Sequence, residues 1–159
     1  MELSIGGHVA IEMVPSITGG GAIGGGVRIH DVFSATLEAR LDAPQSRGDI
    51  ERVSAHFVGG ALVLCGHLWL AGLCGVLTIG ALRGEGAGVD EPRQVASLFA
   101  MAGARAQIDA PLFDWLSLRA FAEFGATLTP TTLDLDDRVR FVVPPVSATI
   151  GTRAVVRWP

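Results

Sequence analysis

Apolar and polar residues alternate at every second position over most of the chain, the period of a β-strand with one dry and one wet face. Near the start, Leu3, Ile5, Val9, Ile11 and Met13 interleave with Ser4, Gly6, His8, Ala10 and Glu12. A third segment sets Phe33, Ala35, Leu37, Ala39 and Leu41 against Ser34, Thr36, Glu38, Arg40 and Asp42. A seventh sets Leu116, Leu118, Ala120, Ala122, Phe124, Ala126 and Leu128 against Ser117, Arg119, Phe121, Glu123, Gly125, Thr127 and Thr129. The last sets Val146, Ala148, Ile150, Thr152, Ala154, Val156 and Trp158 against Ser147, Thr149, Gly151, Arg153, Val155 and Arg157. Helical spacing would mix these faces, so each segment reads as a strand.

Four less regular segments lie between them, at about 19–30, 52–66, 70–82 and 96–109. In the last of these, Leu98, Ala100, Ala102, Ala104, Ala106 and Ile108 oppose Arg105, Gln107 and Asp109. Its alanines suit a helix, but the strict alternation and Gly103, which weakens a helix interior by about 1 kcal/mol, favour a strand. The segments at 52–66 and 70–82 are apolar on both faces. Neither can be assigned an outward side, and a bulge is expected there.

The links between these eight strands alternate in length. Those near His30 to Asp31, Gly66 to Trp69 and Ala110 to Asp114 are short; those near Pro15 to Thr18, Ala43 to Glu51, Arg83 to Val95 and Pro130 to Pro145 are mostly longer. An up-and-down antiparallel barrel puts alternate links at opposite rims, which produces this asymmetry. The expected fold is therefore all-β, a single domain over 1–159, with the first strand beside the eighth and both termini on the short-turn side.

Composition narrows the class without naming a function. Only 18% of the 159 residues are charged, Gly accounts for 21 of them, and mean hydropathy is +0.44, so a folded domain is expected rather than a disordered one. No apolar run approaches the roughly 18 residues of a membrane-spanning helix. With a net charge of −4 and scattered arginines, the chain lacks the basic patch of a nucleic-acid binder. Lys, Tyr and Asn are missing altogether, which fits the codon bias of a GC-rich genome. Met1 is followed at once by Glu2, with no basic start or apolar core of a signal peptide; either a leader has been removed or the chain is not exported.

Candidate chemistry is sparse. Cys65 and Cys74 lie nine apart around a turn, so a hairpin can set them opposite each other as a disulfide; two separate buried or lipid-facing thiols remain the alternative. No Cys or His pair has metal-ligand spacing, and no cofactor is expected. Gly19, Gly21 and Gly24 satisfy G-x-G-x-x-G, but strand-like Val27-Arg28-Ile29 follows instead of a helix, so glycine in a curved strand is the better account. Asp134, Asp136 and Asp137 could hold calcium in the last long link, although a solvated rim explains them as well. Ser54 and His56, with Glu51 near, share a strand face, yet no nucleophile elbow accompanies them. His8, His30 and His67 read as ordinary barrel histidines.

The segment Gly80-Ala81-Leu82-Arg83-Gly84-Glu85-Gly86, the Cys65 and Cys74 pair and the closing Ala154-Val155-Val156-Arg157-Trp158-Pro159 carry a resemblance that spans nearly the whole chain. It resembles the eight-stranded outer-membrane barrels of the OmpA and OmpX type, and more closely uncharacterised outer-membrane barrel proteins of myxobacteria. The resemblance implies a bacterial outer-membrane location, contact with outer-membrane lipid, and recognition of the final strand by the barrel-assembly machinery. Trp158 stands where that family's terminal aromatic belongs; the trailing Pro159 departs from the pattern.

In such a barrel Leu37, Leu41, Leu118, Phe124, Ile150 and Val156 face lipid and the polar faces meet inside. Eight strands leave an interior that side chains fill. The expected lumen charge network comprises Glu12, Arg28, Glu38, Arg40, Arg105, Asp109, Arg119, Glu123, Arg153 and Arg157, with Glu123 paired to at least one arginine and Glu12 contributing across the closure. A structural or interaction barrel, filled rather than open, with an unknown protein partner at its outer loops, is the preferred function. A soluble lipocalin-like carrier of a small apolar ligand and a lipid-modifying enzyme using His56 are the alternatives.

Overall fold

A computed structural model describes the backbone of residues 1–11, 18–30, 32–43, 45–47, 52–87, 94–129, 132–135, 139–142 and 145–158, and the side chains of 1–11, 18–30, 32–43, 56–83, 97–129 and 145–158. The strands are β1 (Glu2–Ile11), β2 (Thr18–Ile29), β3 (Phe33–Asp42), β4 (Gln45–Arg47), β5 (Arg52–Leu68), β6 (Ala71–Ala87), β7 (Gln94–Phe113), β8 (Leu116–Thr127), β9 (Thr132–Leu135), β10 (Val139–Val142) and β11 (Val146–Arg157). Eight of them close into an antiparallel barrel in the order β1-β2-β3-β5-β6-β7-β8-β11, with β11 returning to β1. Closure leaves no unpaired edge in the ring. Glu2 stands opposite Arg157 and Ile11 opposite Ala148, so the first long strand lies beside the last, as the alternation and link lengths predict.

Both termini sit at the short-turn rim. The Met1 ammonium donates to the Trp158 carbonyl at 3.0 Å, and the Trp158 amide donates back to the Met1 carbonyl at 3.0 Å. Two of the short links are tighter than the sequence suggests, because β5–β6 and β7–β8 close over Trp69-Leu70 and Asp114-Trp115. The long links also carry more structure than expected. β6 runs on to Ala87 and β7 begins at Gln94, so both ends of the predicted loop from Arg83 to Val95 are strand, and 88–93 lie outside the described residues. The link after β3 contains β4, paired with β5, and the last link contains the β9–β10 hairpin.

The bulge is not where the sequence places it. β5 and β6 pair without a break from Arg52–Ala87 to Leu68–Ala71; the register shift falls between Pro111 and Phe113, where β7 meets β8. Proline has no amide for the ladder, so a strand end with an irregularity is where it fits. The two-sided apolarity of β5 and β6 has a different cause, for part of the inner wall is itself apolar. Ala61, Val63, Cys65, Cys74 and Val76 form one buried cluster. Phe57, Leu82, Phe99 and Met101, with Ala10, form another, in which the rings of Phe57 and Phe99 meet edge to face 5.5 Å apart. A wholly polar interior is therefore corrected to a divided one.

Candidate functional site: the barrel interior

Alternation puts the charged residues of β1, β3, β7, β8 and β11 on the concave side, where the ring brings distant strands together. Arg40, Glu38, Arg105, Glu123 and Arg153 are all buried to 5% exposure or less, while Leu37 on the outside is 68% exposed. Arg40 on β3 donates from Nη1 and Nη2 to the two oxygens of Glu123 on β8, both at 2.9 Å. β3 and β8 stand four places apart in either direction around the ring, so this bidentate pair spans the barrel's full width.

Arg105 shares both acids. It donates to Glu123 Oε2 from Nη2 at 2.7 Å and to Glu38 Oε1 from Nη1 at 2.7 Å. Glu38 also accepts from Arg153, including Nη2 to Oε2 at 2.9 Å, and from Arg40 Nη2 at 3.0 Å. The excess cation of this five-residue cluster is met by an aromatic ring: the guanidinium carbons of Arg105 and Arg153 lie 4.6 and 4.8 Å from the centroid of Phe121. Such contacts stabilise arginines shielded from water.

A second cluster occupies the short-turn end. Arg119 donates to Asp109 from Nε and Nη2 at 2.6 and 3.0 Å and to Glu2 from Nη1 at 3.4 Å. Arg157 Nη2 donates to Asp109 at 2.6 Å, and Arg28 Nη1 lies 4.0 Å from the same carboxylate. In a third place, His8 Nε2 and Asp42 Oδ1 are 2.6 Å apart although β2 runs between their strands. Gly20 makes that contact feasible, since a Cβ there would collide with Asp42 Oδ1 and lie 2.6 Å from His8 Nε2. The Gly19–Gly24 motif thus belongs to strand β2, not to a phosphate-binding turn before a helix.

The structure brings together Arg28, Glu38, Arg40, Arg105, Asp109, Arg119, Glu123, Arg153 and Arg157, but in two clusters instead of one. Glu12 lies outside the described residues. Among the described residues, the acid that β1 contributes to these clusters is Glu2, which the alternation could have identified, since it shares a face with Ser4 and His8. Asp42 was legible on the polar face of the third segment, but its partner across β2 was not. The Ser34 hydroxyl and His67 Nε2, 2.8 Å apart on neighbouring strands, form another pair that sequence reasoning missed. Cys65 and Cys74 are opposite each other and bridged, with both side chains inside the barrel. Ser54 and Glu51, and the side chains of Asp134, Asp136 and Asp137, fall outside the described side chains; His56 is half-buried in β5.

No protein-family model and no curated protein sequence matches the chain. Solved structures do. Neisserial surface protein A superposes with a TM-score of 0.63 at 9% identity, covering 99% of this chain and 96% of that one. A major outer membrane protein of Thermus thermophilus gives 0.67 at 11% identity over 99% of each chain. Ail, the attachment invasion locus protein of Yersinia pestis, gives 0.63 at 10% identity over 98% and 95%. The chain has the fold of an eight-stranded outer-membrane barrel. In that fold the outer belt is the lipid-facing side, and here it carries Leu37, Leu41, Leu118, Phe124 and Ile150 exposed, with Val156 half-covered.

Proposed function

We propose that this chain is a bacterial outer-membrane barrel with a structural or interaction role, its lumen closed by its own charged side chains, and that it is neither an open pore nor an enzyme. The observation that carries this reading is the inverted burial: arginines and glutamates inside, leucines, isoleucines and phenylalanines outside. A water-soluble protein would place large apolar areas in contact with solvent by this arrangement, whereas lipid reverses the preference. Outward residues from Leu116 to Leu128 cover about 28 Å of height at ~3.3 Å per residue and ~45° tilt, close to the apolar band of such barrels. All three tryptophans, Trp69, Trp115 and Trp158, are exposed at the short-turn rim, where an interfacial aromatic girdle belongs.

A lipocalin-like carrier turns its apolar face inward towards its ligand and its polar face to water; the opposite arrangement here disfavours this alternative. Every acid named in the two clusters has an arginine partner, so a structural role accounts for these buried charges. The long-loop end is the surface for an interaction role. Ail, of the same fold, has been crystallised with the heparin analogue sucrose octasulfate at a TM-score of 0.56 to this chain, and an unidentified protein or glycan partner at the long loops is proposed by that likeness. Trp158, exposed after the closing strand, is the proposed feature for the barrel-assembly machinery.

Refolding into detergent micelles and planar bilayers tests the reading. The folded protein should show the heat-dependent gel mobility of a closed barrel and leave bilayer conductance near baseline. A monomer that stays soluble without detergent, or large steady ion currents, would refute it.

A further inference from the structure

The charges at the short-turn mouth are more exposed than those at the centre of the lumen. Arg28, Asp109, Arg157, Trp69, Leu70 and Pro111 line a cleft of about 330 Å³ there. The side chains of Arg157 and Arg28 are 29% and 18% exposed, against 5% for Arg119 behind them. Arg28, Arg157 and Asp109 are the charged groups of the cleft wall, with Arg119 and Glu2 paired behind them. Asp109 already accepts from Arg119 and Arg157. Arg157 Nε and Glu2 Oε2 stand 3.9 Å apart, and neither atom has a hydrogen bond.

The lip of the cleft is apolar. Leu68, Trp69 and Leu70 are 84%, 95% and 50% exposed, and Trp69 turns the chain at φ 61°, a backbone conformation that is unfavourable for a bulky residue. The turn thus holds an indole outward at an energetic cost, beside cations that open to the same side. Arginine recognises phosphate oxygens by charge-assisted hydrogen bonds, and tryptophan favours the boundary between headgroups and acyl chains.

We propose that this mouth binds a phosphate ester, supplied by the headgroup of an anionic phospholipid in the leaflet that the short turns face, with Arg157 and Arg28 on the phosphate and Trp69 and Leu70 against the acyl chains. The lipid source rests on the membrane reading; the phosphate chemistry does not. The test uses the barrel in non-ionic micelles with Trp115→Phe and Trp158→Phe, so that Trp69 is the one remaining indole. Acyl-brominated phosphatidylglycerol should quench Trp69 at roughly tenfold lower concentration than brominated phosphatidylcholine, the scale of one charge-assisted contact. Arg157→Gln, and separately Arg28→Gln in case the first fails to fold, should remove that preference. Relief of quenching by millimolar inorganic phosphate supports the same site, and phosphate binding without lipid preference supports it with a soluble ligand as the source. A preference that survives both arginine variants overturns the proposal. So does a folded, micelle-inserted barrel that ignores both probes, an outcome that leaves the membrane reading intact.

Discussion

Removing Glu123 should be among the most damaging single changes to the lumen. Its two oxygens accept four hydrogen bonds, from Arg40 at 2.9 and 2.9 Å and from Arg105 at 3.0 and 2.7 Å. Glu123→Gln keeps the volume but leaves Arg40, Arg105 and Arg153 with Glu38 as the only remaining acid of the cluster. Breaking one side of a buried ionic contact costs about 3–5 kcal/mol, because the partner's charge remains desolvated. With a urea slope of about 2 kcal/mol/M, the unfolding midpoint should fall by roughly 2 M. The paired variant Arg40→Met with Glu123→Leu removes one charge of each sign, so it should recover most of the loss; well-packed apolar replacements of buried pairs are often near neutral. Urea titrations of the three proteins in one detergent make the comparison. If the single and double variants unfold at the same midpoint, or if Glu123→Gln matches the unaltered protein, uncompensated charge is not what the brace prevents.

Gly20→Ala should destabilise by about 1–3 kcal/mol, since its Cβ would press on Asp42 and His8, whereas Gly19→Ala, which meets nothing within 4 Å, should change the midpoint little; equal effects would count against steric exclusion. Leu118→Arg, placing a charge on the outer belt, should cost roughly 2–4 kcal/mol in a bilayer, and an unchanged refolding free energy in lipid vesicles would place that face elsewhere. The Cys65–Cys74 bridge should resist reductant in the folded barrel because both residues are less than 5% exposed, and its replacement by two serines should lower stability by about 2–3 kcal/mol. Rapid labelling of reduced thiols without unfolding would contradict the buried position.

The local pattern of this chain determined its strands, their two faces and the alternation of links, because a period of two is written in adjacent residues and needs no knowledge of what lies across the barrel. From Ser34 to Leu41 and from Leu116 to Leu128, reading every second residue was enough to separate the outer belt from the interior. The bridge between Cys65 and Cys74 was half legible: nine residues and a turn allowed the pairing, and the β5–β6 register set it. What the pattern could not reach were partnerships across closure. Arg40 and Glu123 are 83 residues apart and meet because β3 and β8 end up on opposite walls, while Glu2 joins the short-turn cluster because closure sets it at the level of Arg119 and Arg157. The faces of β5 and β6 were unreadable for a related reason: an inner wall of Ala61, Val63 and Val76 is as apolar as the lipid side, so alternation carries no contrast there. Only the closed ring, by fixing which interior side chains share a level, decided that the charges would divide into a buried central cluster and a more exposed one at the short-turn mouth.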